Sequence, residues 1–327
     1  MKRTIKAKRR YSGGFSLEVF SEDELREIHL ATLEVLWRTG VYVESAEALE
    51  IFAGGGAKVD PKTKVVKIPG YVVEEAIASA PSTMVAYGRS PEYDVVLEDG
   101  RVSYTNFGEG IMFLDPDTGE HRETTKADCE KTALLIDYLE NIETYERAML
   151  SHDKPPEVQA LHNAEASLTN TSKHHWLGPV NRYQSKKIVE MMSAIVGGED
   201  KLRERPLMTF VTCPISPLKL VEHHCDIIVE AARAGIGVNI VGMAMAGGSS
   251  PVHLAGTIVV QNCEVLSSLV LSQLTCKGSR FVYGSSTCPL DLRRAVSTVG
   301  SPELGMISAG VARLARYYGL PCFVAGG

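Results

Sequence analysis

The chain has 327 residues, 44% of them hydrophobic and 23% charged, with a formal net charge of -6 and a pI near 5.9. That length and apolar content suffice for one large domain plus a smaller one, or for a single barrel with an appendage, and they exclude wholesale disorder. No global basic field exists to attract nucleic acid, and no continuous apolar run reaches the roughly 18 residues of a membrane-spanning helix.

The only basic run opens the chain, at Lys2, Arg3, Lys6, Lys8, Arg9 and Arg10. Tyr11 and S-G-G-F-S follow it instead of an apolar core, so it reads as a solvated tail and not a secretory signal. Ser21 with Glu24 forms a capping box, and Leu25, Ile28, Thr32, Val35 and Leu36 share one stripe, which predicts a helix from Glu22 to about Arg38 closed by Gly40. A short helix follows at 45–52, then an extended K-V-V-K-I, then a helix at 71–79. From Thr83 to Thr105 the period falls to two, and D-V-V-L-E-D-G-R-V-S-Y-T reads as a hairpin turning at Asp99-Gly100. Residues 1–98 are expected to form an α+β cap.

Beyond the cap, residues 99–327 alternate between strand and helix. Strands are expected at 102–107, 142–149, 174–180, 207–213, 237–245, 280–284 and 321–325. Helices are expected at 126–139, 156–169, 185–196, 218–234, 252–276 and 302–318. This rhythm is that of parallel βα units, and with no G-x-G-x-x-G opening the first unit it suits a TIM-type (β/α)8 barrel better than an open sheet. Seven strands leave that barrel one short, so the domain is expected to be truncated before its last strand, unless the sheet is open. The seven cysteines, Cys129, Cys213, Cys225, Cys263, Cys276, Cys288 and Cys322, include no C-x-x-C pair. They give no disulfide framework and fit a reducing, cytoplasmic setting.

In a βα barrel, chemistry sits at the carboxyl ends of strands, which selects Phe107, Glu109, His175, Trp176, Cys213, Met243, Met245, Ser249, Tyr283, Ser285 and Ser286. Four of them, Glu109, Met245, Ser249 and Ser285, are expected at one rim. Glu109 lies in F-G-E-G, where glycines make room for a ligand. Phe107, Trp176 and Tyr283 have ring faces suited to a small cation, the alternative being barrel packing. The doublets His174-His175 and His223-His224 do not make a metal site, because neighbours on a strand or helix diverge. G-G-S-S-P before the helix at 252 has the form of a phosphate cradle but brings no basic residue with it. Met243 and Met245 read as core, and G-x-S-x-G is absent.

At these residues the chain resembles a known family. M-A-M-A-G-G-S-S-P-V-H-L-A-G-T, Q-N-C-E-V-L-S, Y-G-S-S-T, V-G-S-P-E-L-G-M-I-S-A and Y-Y-G-L-P-C-F-V-A-G-G are similar to the trimethylamine methyltransferases, and the likeness extends back through S-E-D-E-L-R-E-I-H-L-A-T-L-E-V-L and V-V-K-I-P. The resemblance implies a TIM-type barrel that moves a methyl group from trimethylamine to the cobalt of a partner corrinoid protein. No cofactor is then bound directly, because the corrinoid (cobalamin) stays on the partner. It also implies a catalytic pyrrolysine, encoded by an amber codon, immediately after Gly327, so that no catalytic residue lies within the chain and the chain alone is inactive. Substrate-binding residues are then expected among Phe107, Glu109, Trp176, Tyr283 and Ser285, with no metal, no membrane and no nucleic acid involved and with homo-oligomeric assembly. Three alternatives remain: a non-pyrrolysine methyltransferase acting on quaternary amines of the glycine betaine type, a non-catalytic scaffold for a corrinoid protein, and a phosphate-binding barrel enzyme.

Overall fold

The computed structural model describes residues 18–326; the basic run at residues 2–10 and the terminal Gly327 lie outside them. The described chain forms two compact units, one of residues 84–211 with 234–237, the other of residues 18–83, 212–233 and 238–326.

In the first unit, strands Tyr145–Glu146, His175–Leu177 and Met208–Thr212 run parallel, with Tyr145 opposite His175 and Trp176 opposite Thr209. Helices Lys126–Tyr138, Gln159–Asn170 and Arg182–Val196 occur between and beside them, close to the expected positions. Thr125 and Asp128 cap the first of these helices reciprocally, and Asp128 also takes two bonds from Arg122, of 2.7 and 2.9 Å. At its other end Lys173 donates to the carbonyls of Ile136, Leu139 and Ile142, placing a cation on the negative end of the helix dipole. Alternation then sorts the side chains. Tyr145 packs with Ala133 and Ile136 of that helix and meets His175 edge to face at 5.8 Å, so Glu146, Trp176 and Thr209 share the opposite face.

Two expectations fail here. The strand at 102–107 does not form; that stretch makes only isolated bridges, Thr105 to Thr144 and, further on, Gly110 to Met149. Its backbone is held by side chains instead, since Tyr104 N–H donates to Glu143 and Asn106 takes over the bonds a strand neighbour would make. Nor is there a hairpin at Asp99-Gly100. Val95–Leu97 pairs backwards with Met84–Ala86, which offers it a buried apolar partner, while Gly100 still turns the chain at φ 76°. A hairpin of Met112–Leu114 with His121–Glu123 was not expected, although Asp115 and Gly119 supply its turn chemistry.

The second unit is built on helix Leu254–Thr275, 22 residues long and buried over most of its surface. It packs against helices Glu22–Arg38, Ala46–Gly54, Gly70–Ser79 and Pro302–Tyr317 and against strand Phe281–Ser285. Burying Leu266, Leu269, Val270 and Leu271 contributes about 1.5–3 kcal/mol each. By length and hydropathy this helix would suffice to cross a bilayer, a feature that counting uninterrupted apolar residues overlooks because Gln261, Asn262 and Glu264 break the run. Those polar residues bond inside the unit. Asn262 donates to Thr32 at 2.9 Å and Tyr318 at 2.8 Å, and Glu264 accepts from Leu218 N–H at 3.0 Å and Ser216 at 2.9 Å. Strands Gly237–Gly242, Phe281–Ser285 and Cys322–Val324 run parallel, pairing Ile240 with Tyr283 and Tyr283 with Cys322.

Candidate active site

The site is built at the carboxyl end of strand Tyr145–Glu146. Asn106 donates from Nδ2 to the Glu146 carbonyl at 2.8 Å and accepts from the Glu146 N–H at 2.9 Å, so one carboxamide ties the F-G-E-G segment to the strand. That clamp presses Gly108 onto the Glu146 side chain: a Cβ at Gly108 would lie 2.7 Å from Cγ and 2.8 Å from Cδ. Only a glycine fits there without displacing the carboxylate. The next residue, Glu109, pairs with Arg147, whose Nη1 donates to the Gly178 carbonyl at 2.9 Å. Gly178 is itself closely held, with Val211 O 2.8 Å from where its Cβ would stand. Burial pulls Arg147 down to about 10, which leaves it charged at neutral pH.

Glu146 differs from Glu109 in one respect. It is half-buried, and among the described residues its carboxylate has no hydrogen-bond or ion-pair partner. Desolvation raises it to about 7. Around it on the same face stand Trp176, Thr209 and His174. His174 donates from Nδ1 to the Tyr87 carbonyl at 3.1 Å and accepts at Nε2 from Thr209 Oγ1 at 2.9 Å, meets Trp176 edge to face at 5.4 Å, and is kept neutral by burial, at about 4. The arrangement is an uncompensated acid beside an aromatic ring, next to a compensated acid–arginine pair, which suits a small organic cation.

Of the residues singled out from the sequence, the first unit brings together Glu109 and Phe107, on one segment, with Trp176 near the strand that bears Glu146. Phe107 is 74% exposed and Trp176 is 2% exposed. His175 is buried on the opposite face, beside Tyr145. In the second unit Tyr283 and Ser285 fall on the helix side of their strand. Tyr283 is fully buried and donates to Asn262 Oδ1 at 2.6 Å and Gln261 Oε1 at 3.2 Å, both on helix Leu254–Thr275, while Ser285 Oγ accepts from Thr287 N–H at 3.1 Å. The face opposite holds Asn239, Val282 and Gly284 instead. Asn239 is completely buried with neither amide atom hydrogen-bonded.

Met245 N–H donates to Ser249 Oγ at 3.0 Å, and Ser250 donates to Thr257 at 3.0 Å, so the hydroxyls of G-G-S-S-P hold the loop and tie it to helix Leu254–Thr275. Cys213 and Met243 are exposed, and Ser286 N–H donates to Gly242 O. His224 bridges Thr212 and Ser268, at 3.0 and 2.9 Å, and burial drives it down to about 3. The described residues contain no group of three His, Cys, Asp or Glu suited to a metal.

Sequence reasoning missed Glu146, Arg147 and Asn239. The first two are adjacent in an ordinary Y-E-R-A stretch, and only the clamp from Asn106 makes them a site. A cue was present in the pairing of Asn106 and Gly108 within N-F-G-E-G, since a small residue beside a carboxamide marks a close approach of backbone.

Comparison with known proteins is consistent throughout. Relatives include a trimethylamine methyltransferase MttB of Desulfitobacterium hafniense, 53% identical over 96% of this chain and 63% of the relative, and one of Methanosarcina thermophila, 44% identical over 96% of this chain and 66% of the relative. A glycine betaine methyltransferase of Desulfitobacterium hafniense is 31% identical over 94% of this chain and 64% of the relative. The chain thus spans less than two thirds of the length of these relatives. Among solved structures, the monomethylamine methyltransferase MtmB of Methanosarcina barkeri matches with a TM-score of 0.61 at 12% identity, covering 99% of this chain and 65% of that one. This likeness establishes the α/β, TIM-type fold class. With residues 4–327 matching the family model described as trimethylamine methyltransferase (MTTB), the chain belongs to that family.

Proposed function

We propose that this chain is part of an enzyme that transfers a methyl group from trimethylamine to the cobalt of a partner corrinoid protein. The observation that carries the reading is the 53% identity to a trimethylamine methyltransferase, well above the 31% to a glycine betaine methyltransferase. The chemistry of the site supports it. A tertiary amine becomes a methyl donor when its nitrogen carries positive charge, and a half-buried carboxylate beside Trp176 is suited to hold such a cation. In this reading the corrinoid supplies the methyl acceptor from the partner protein, and a pyrrolysine directly after Gly327 supplies the catalytic group. The 327 residues alone are then inactive.

The test has two parts. Sequencing the gene beyond the codon for Gly327 is expected to find an amber triplet followed by open frame. The full-length product, with its corrinoid partner reduced, is expected to methylate cobalt when given trimethylamine and not glycine betaine. Methyl transfer from glycine betaine alone, or activity of the short chain, would refute it.

A further inference from the structure

We infer that Glu146, and not Glu109, is the counter-charge that binds the ammonium substrate, an assignment that rests on the trimethylamine reading. Charge balance decides between the two carboxylates. Glu109 is 47% exposed and already neutralised by Arg147, whose Nη1 donates to the Gly178 carbonyl. A cation approaching Glu109 must compete with a buried guanidinium. Glu146 has no such partner, stands on the same strand face as Trp176 and Thr209, and is held in place by Gly108 and by the two hydrogen bonds of Asn106 to its backbone. An unpaired, half-buried acid is costly unless something positive completes it.

The charged and titratable groups packed around it are few. The segment 104–110 brings Glu109; its own strand brings Arg147; the neighbouring strand brings His174, neutral down to about pH 4. Neither Arg147 nor His174 changes charge between pH 6 and 8 on the shifts given by burial, whereas Glu146, raised to about 7, does. Its sign is definite: the carboxylate is charged above that value and neutral below it, so cation affinity falls as the solution is acidified. A tertiary ammonium also carries one N–H that a carboxylate oxygen accepts, and a quaternary one carries none. Glu146 therefore favours trimethylammonium over tetramethylammonium.

The experiment is calorimetric titration of the full-length protein with trimethylammonium and with tetramethylammonium, whose charge is independent of pH, between pH 6 and 8. For the wild type we expect affinity for both cations to drop about tenfold from pH 8 to pH 6, with trimethylammonium the tighter. Glu146→Gln is expected to weaken trimethylammonium by about 10- to 100-fold, the loss of one charge-assisted hydrogen bond, and to flatten the pH profile. A flat wild-type profile, or a Glu146→Gln protein that binds as the wild type does, would overturn the assignment. The wild-type profile decides even where the variant does not fold. Methyl transfer measured alongside separates the two claims: transfer from trimethylamine with affinity indifferent to Glu146 removes this inference and leaves the proposed function, while no transfer from trimethylamine removes both.

Discussion

Tyr283 tests which side of its strand faces what. Its hydroxyl is the donor to Asn262 Oδ1, at 2.6 Å, on a residue that is completely buried, and Asn262 in turn donates to Thr32 and to Tyr318, which bonds His29 Nδ1 at 3.1 Å. Tyr283→Phe keeps the ring and its packing, so the transfer term is almost unchanged. What it removes is the partner of a buried carbonyl oxygen, which costs about 1–3 kcal/mol. Tyr283→Leu adds a cavity to the same loss and should cost about 3–5 kcal/mol. Urea denaturation of the full-length protein, followed by far-UV circular dichroism, measures both, and trimethylamine titration of the same samples is expected to show no change for Tyr283→Phe. A Phe variant as stable as the wild type that binds trimethylamine more weakly would refute the placement and restore the ring to a ligand-facing role.

Gly108→Ala puts a methyl 2.7 Å from Glu146 Cγ, so the carboxylate must move; trimethylamine binding should weaken by about tenfold or more with little change in the melting midpoint. Lys173→Met removes three bonds to the carbonyls at the end of helix Lys126–Tyr138 and should destabilise the protein by about 2–4 kcal/mol, with amide exchange rising first around residues 136–142. Glu264 is completely buried and desolvation raises it from 4.5 to about 7. Because its folded value lies above its unfolded one, its contribution is fully present below pH 4.5 and is lost as pH rises through 7. That change is worth up to about 3 kcal/mol, and the pH dependence of urea midpoints should flatten over this window in Glu264→Gln.

Much of the fold was legible because its signals are local. The capping box of Ser21 and Glu24 starts its helix at Glu22, and six of the apolar runs became strands within two or three residues of where they were expected. What local signals do not carry is which partner a strand will choose. Val95–Leu97 has the alternation of a hairpin arm, but its better apolar partner lies upstream at Met84–Ala86. The site was less legible for a related reason. A buried parallel strand is apolar on both faces, so F-V-Y-G-S gives no sign that Tyr283 turns to a helix and Gly284 away from it. Glu109 attracted notice through its flanking glycines, whereas the carboxylate that Gly108 accommodates is 37 residues further on. Arg147, which pairs with Glu109, is announced by nothing in its neighbourhood.

The division of the chain has a consequence for how it is made. The second unit is sewn from three separate stretches, and the carboxamide of Asn262 joins Thr32 from the first to Tyr318 from the last. A ribosome delivers helix Glu22–Arg38 early and must then add residues 84–211, which complete most of the other unit, before helix Leu254–Thr275, on which it packs, exists. At ordinary elongation rates that delay is on the order of ten seconds or more. During it, helix Glu22–Arg38, which carries the buried Leu25, Ile28 and Leu36, can pack on strand Val65–Lys67 and helix Gly70–Ser79 but lacks helix Leu254–Thr275. The early helix thus waits longest for helix Leu254–Thr275, and polar replacement of Leu36 should show itself in yield more than in the activity of the molecules that fold.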